Sequence, residues 1–142
     1  MGRGTLQQSD EVPSVVLQRV PLFASMHPEA AVFALGTNDS WNPDLDIDLA
    51  LANIDKTVKA FAGSCIVAVT VRTSVPEQPA YDSTRARRIN ARLRADADAV
   101  VPWDRISARP GLLVADGIHL TDEGRRVWTE EIVDAVRTCH RR

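Results

Sequence analysis

Apolar residues follow two spacings along this chain, and the way these alternate predicts the architecture. Three short runs, at residues 31–36, 66–71 and 99–101, are apolar with Thr70 as the one polar residue. Such runs suit strands buried on both faces, as parallel sheets require. Elsewhere the spacing lengthens to that of amphipathic helices. Residues 10–26 place Val12, Val16, Val20 and Phe23 on one face, with Pro21 expected to kink or restart the helix and Pro28 to end it. Asn42 and Pro43 predict a helix cap and first position, and Ile47, Leu51, Ile54, Val58 and Phe61 then recur at helical spacing until Gly63. Ser83 predicts the cap of a helix whose Ala86, Ile89 and Leu93 face inward. Thr121 predicts the cap of the last helix, with Asp122 and Glu123 at its positive end and Trp128, Ile132, Ala135 and Cys139 as its buried stripe.

Strands separated by helices predict an α/β fold with a parallel sheet and right-handed crossovers. No repeat, low-complexity tract or linker divides residues 1–142, so one domain is expected. At 142 residues and 44% apolar, the chain is long enough for a real core. A formal net charge of −2 gives no global attraction to nucleic acid or to anionic membranes. No run approaches the ~20 apolar residues of a membrane span, and the start lacks the pattern of a signal peptide. Arg85, Arg87, Arg88, Arg92 and Arg94 crowd one helix, which reads as a solvated face.

Chemistry concentrates in two segments. Asp116 precedes His119 by three residues, just ahead of the last helix. A neutral imidazole can take a proton from an alcohol, and a nearby carboxylate fixes its tautomer and steadies the imidazolium. Asn38 follows the first strand at the carboxyl rim, where open parallel sheets bind ligands and where an amide can donate to a developing oxyanion. The same residues also suit a turn and a cap. Metal chemistry has less support: Asp44, Asp46 and Asp48 lack the glycine and distal glutamate of a calcium loop, and His27 and His140 have no partner at ligand spacing. Trp41 and Trp103 follow strands at the rim, where their size suits packing before pocket lining.

Gly36-Thr37-Asn38-Asp39 and Asp116-Gly117-Ile118-His119-Leu120-Thr121, in this order and at this spacing, resemble the SGNH, or GDSL-type, hydrolase family. The resemblance implies a three-layer, flavodoxin-like parallel sheet and a Ser-His-Asp ester mechanism. His119 would be the general base, Asp116 would orient it, and Asn38 would be an oxyanion donor. Gly2-Arg3-Gly4-Thr5 looks like the family's glycine block, with the Gly2 N–H as second donor. The family's Gly-Asp-Ser block, which supplies the nucleophile, is absent from the sequence. Ser40, Ser64 and Ser74 do not fit the geometry of a substitute. The chain is therefore expected to lack its first strand or strands, lost with an N-terminal piece. In the strand order 2-1-3-4-5 it would hold strands 3, 4 and 5, leaving strand 3 as a long apolar edge open to aggregation or dimerisation.

The expected substrates are a small acyl ester or an acylated carbohydrate, with no cofactor and no metal. As written, the chain is expected to be inactive. Two alternatives stay open: an O-acetyltransferase domain acting on envelope carbohydrate, and a noncatalytic descendant that binds a ligand or partner. A flavodoxin-like nucleotide-binding domain ranks last, since no glycine-rich phosphate loop follows a strand. Cys65 and Cys139 both fall toward the amino-terminal edge of the sheet, where a disulfide would close a loop worth about 4 kcal/mol in the chain-entropy picture and imply an oxidising, extracytoplasmic compartment. Two buried thiols are the other possibility.

Overall fold

A computed structural model describes residues 15–41 and 43–139. Gly2, Val12, Asn42 and His140 lie outside the described residues, as does the Val16 side chain. Strands β1 (Ala30–Phe33), β2 (Cys65–Val69) and β3 (Ala99–Val101) form one parallel sheet in that order. Ala31 pairs with Ile66, and Ala68 with Val100. Helices α2 (Ile47–Ala60) and α3 (Ser83–Ala95) cover one face. There Ala50, Ile54, Ala86, Ile89 and Leu93 pack against Phe33, Ile66 and Ala68, and Phe33 meets Phe61 edge to face at 5.5 Å. Helix α5 (Asp122–Cys139) covers the other face, its stripe of Trp128, Ile132, Ala135 and Cys139 lying over Val67, Val69 and Val101. The result is the three-layer α/β arrangement expected, and the inward faces of α3 and α5 are the ones the spacing predicts.

Several boundaries differ, each for a local reason. The first strand stops at Phe33, with Ala31 and Phe33 buried on one face while Val32 on the other stays 41% exposed. It is thus a short edge, four residues long, rather than the long one expected; among the described residues it pairs with β2 alone. Helix α1 (Val15–Ala24) contains Pro21 without ending there, and it packs through Val20 and Ala24 while Phe23 is 49% exposed. It stops before Pro28, where His27 takes a positive φ of 48°.

Helix α2 is not capped by Asn42 and Pro43; Pro43 lies in a turn, and α2 starts at Ile47. Asp46, in extended conformation, accepts from the N–H groups of Asp48 and Leu49 at 2.8 and 3.3 Å. A carboxylate there satisfies two orphan donors and meets the positive helix end, which a proline ring cannot do. Asp82 likewise displaces Ser83 as cap of α3, accepting from Thr84 N and Arg85 N. The arginines of α3 are not simply solvated. Arg88 pairs with Asp48, Arg92 with Asp55 and Asp96, and Arg94 with Asp104, joining α3 to α2 and to the short helix α4 (Trp103–Ile106).

Candidate active site

Past β1 the chain turns at Gly36, whose φ is +103°. A Cβ at this position would lie 2.6 Å from Ile89 Cγ2, so glycine is what lets the backbone turn while pressed against α3. A 3-10 turn over Asn38–Ser40 follows. Ser40 donates to the Gly36 carbonyl through both N–H and Oγ, each at 3.1 Å. Arg85 reaches over from α3, its Nε donating to the Asp39 carbonyl at 2.9 Å and its Nη2 to the Leu45 carbonyl at 2.7 Å. Asn38 itself is half-buried, and its side-chain amide makes no hydrogen bond among the described residues.

The second segment is a loop closed on itself. Leu113 bridges Leu120 in antiparallel fashion, Val114 N donates to the His119 carbonyl at 2.9 Å, and Gly117 N donates to the Val114 carbonyl at 3.0 Å. Asp116 Oδ1 accepts from the N–H groups of Ile118 and His119 at 2.8 and 2.9 Å. Its Oδ2 lies 2.6 Å from His119 Nδ1. The imidazole bond and these two backbone donors hold the Asp116 carboxyl down at about 2. It is therefore a carboxylate at neutral pH, and it fixes the proton of a neutral His119 on Nδ1. The lone pair is left on Nε2, in a side chain 74% exposed. That is the tautomer and presentation a general base needs. Thr121 caps α5 by accepting from Gly124 N at 2.9 Å, while its hydroxyl donates to the Gly111 carbonyl.

Residues 72–81 brace this loop. Arg72 Nη1 donates to the Gly117 carbonyl at 2.6 Å, Gln78 Nε2 to the Asp116 carbonyl at 3.3 Å, and the Tyr81 hydroxyl to the Arg72 carbonyl at 2.6 Å. A cavity of about 190 Å³ opens at the carboxyl ends of the strands. Thr37, next to Asn38, borders it, as do Ile118 and Leu120 on either side of His119. The two segments thus flank one cavity, although neither the Asn38 nor the His119 side chain lines it. Trp103 does line it; Trp41 packs edge to face on Tyr81 at 5.6 Å instead. Arg72, Tyr81 and Trp128 are lining residues that sequence reasoning missed. Only the end of the second apolar run at Val71 hinted that Arg72 would emerge at the rim.

Among the described residues no serine hydroxyl hydrogen-bonds to His119. Ser40 Oγ is held by the Gly36 carbonyl, Ser64 Oγ by the Pro28 carbonyl, and Ser74 is exposed in the loop after β2. No cluster of three metal-ligating side chains and no helix long and apolar enough to cross a membrane occurs among the described residues. At the opposite end of the sheet, Cys65 and Cys139 are joined as a disulfide with Cα atoms 5.8 Å apart.

The fold is similar to that of a lipase/acylhydrolase from Enterococcus faecalis, with a TM-score of 0.70 and 18% identity, over 86% of this chain and 68% of that one. It is also similar to TesA, with a TM-score of 0.67 and 22% identity, over 87% of this chain and 71% of that one. No protein of curated description matches at a significant level. Residues 2–127 match the family described as GDSL-like lipase/acylhydrolase, which spans most of the sequence. By that match the chain belongs to the GDSL-like lipase/acylhydrolase family.

Proposed function

We propose that this chain carries the base, the orienting carboxylate and the oxyanion donors of a serine esterase acting on small acyl esters. The nucleophile would be a serine that these 142 residues do not hold, so the chain by itself is inactive. The observation that supports the reading is the His119 Nδ1 contact to Asp116 at 2.6 Å, which leaves Nε2 available, in a loop whose Ile118 and Leu120 border the same cavity as Thr37. In the reaction a serine Oγ attacks the acyl carbonyl while His119 Nε2 takes its proton, and Asp116 steadies the imidazolium. The Asn38 amide and the Gly2 N–H donate to the tetrahedral oxyanion. Collapse returns the proton to the leaving alcohol, and the acyl-enzyme passes to water or, in a transferase, to a sugar hydroxyl. The disulfide favours an extracytoplasmic setting, since such bonds persist where the surroundings are oxidising. The β1 edge favours pairing with another strand; in a second copy this makes a dimer, detected as concentration-dependent sedimentation.

A fluorophosphonate probe tests the chemistry. It should leave the 142-residue chain unmarked and label a form extended by a strand ending in Gly-Asp-Ser. Labelling of the short chain would relocate the nucleophile, and an extended form that neither labels nor cleaves p-nitrophenyl acetate would remove the esterase reading.

A further inference from the structure

The rim cavity contains something that ester cleavage does not by itself require, a cation set among apolar side chains and the polar Thr37, Thr70 and Tyr81. Arg72 lines it together with Val69, Val71, Trp103 and Trp128. A guanidinium has five N–H donors in a rigid fork, and among the described residues Arg72 places one nitrogen, Nη1, on a protein acceptor, the Gly117 carbonyl. No carboxylate forms an ion pair with it among the described residues. Glu77 reaches over the same glycine, where a Cβ would meet Glu77 Oε2 at 2.4 Å and Arg72 Nη1 at 3.2 Å, yet Glu77 is exposed and stays outside ion-pair range. A half-buried guanidinium with one donor nitrogen placed on the described residues can take a planar anion through charge-assisted bonds.

We infer that this cavity takes the acyl part of an ester whose short chain ends in a carboxylate, with Arg72 as the residue that selects it. At about 190 Å³ the space is smaller than the ~300–1,000 Å³ of pockets for drug-sized ligands, which suits an acyl chain of a few carbons, on the scale of succinyl or glutaryl. Val69, Val71 and Trp103 would face the methylenes and Arg72 the terminal carboxylate. The inference rests on the esterase reading of the rim, but it concerns binding, which needs no nucleophile.

Trp103 and Trp128 line the cavity and make intrinsic fluorescence the readout. Titration of the chain with monomethyl glutarate should give binding ~10-fold tighter than with dimethyl glutarate, a preference that shrinks at high salt. Arg72→Met should abolish the preference, the two esters then binding alike. Should that variant fail to fold for want of its bond to Gly117, Arg72→Lys, which keeps charge without the fork, should retain a reduced preference. Equal binding of the two esters by the native chain, or a preference that survives in Arg72→Met, overturns the inference. A labelled, active extended form without the preference for the anion would leave the esterase reading standing and remove this one.

Discussion

The two segments that flank the rim cavity are held in place by opposite means. The Asn38 turn is set chiefly by packing: Gly36 is pressed onto Ile89, Asp39 and Ser40 are fully buried, and Arg85 ties the Asp39 carbonyl, with that of Leu45 further along, to α3. The His119 loop presents an exposed imidazole and is set by hydrogen bonds, with Asp116 accepting three of them and Arg72 and Gln78 reaching in from a neighbouring loop. The difference suits their proposed work. An oxyanion donor must not move as charge develops, whereas a base exchanges protons between substrate and water and needs access.

Substitutions can break or sharpen this contrast. In an extended, active form, His119→Ala should lower kcat by ~10⁴-fold or more, while Asn38→Ala should cost ~10²–10³-fold, the size of one lost oxyanion donor. Equal losses would mean the two segments do not divide base and donor between them. Next in size, Gly36→Ala should lower stability in urea by about 2–4 kcal/mol, because left-handed strain and overpacking against Ile89 act together. Gly117→Ala, at φ +73°, should cost about 1–2 kcal/mol, since the atoms in its way belong to the long side chains of Glu77 and Arg72. A larger loss at Gly117 would mean that the His119 loop is the more rigid of the two.

The smallest effect is a pH dependence. Asp116 is depressed from 3.8 to about 2 in the folded chain. A group whose folded value is lowered stabilises the fold fully above its unfolded value and loses that contribution as pH falls through the folded one. The native chain should therefore lose this stability between about pH 4 and pH 2. Asp116→Asn should flatten that interval in an acid denaturation series, and an unchanged acid limb would show that the carboxylate does not hold the loop.

Local pattern made much of this legible. The three apolar runs marked the strands, the i, i+3, i+4 spacing marked Ile89, Leu93 and Trp128 as inward, and the two cysteines fell at one end of the sheet. Caps were misplaced where a second polar residue stood close by, Asp46 beyond Asn42 and Asp82 beside Ser83, because cap choice depends on which side chain finds extended backbone. Helix α4 covers four residues, about one turn, too short to show a period. The pairing of Arg88 with Asp48 and the convergence of Arg72 with Ile118 and Trp128 on one cavity join segments 40 or more positions apart. Spacing along a chain carries no record of such meetings.

The bond between Cys65 and Cys139 also decides what a protease can do. Arg72, Asp116, His119 and Trp128 all lie within the ring of chain it closes, while Asn38 lies outside it. A single cut in the exposed 108–111 stretch would leave both fragments covalently tethered, with strand and terminal helix still fastened, and only a reductant would let them part. Digestion in a thiol-free medium would thus nick the molecule without dismembering it.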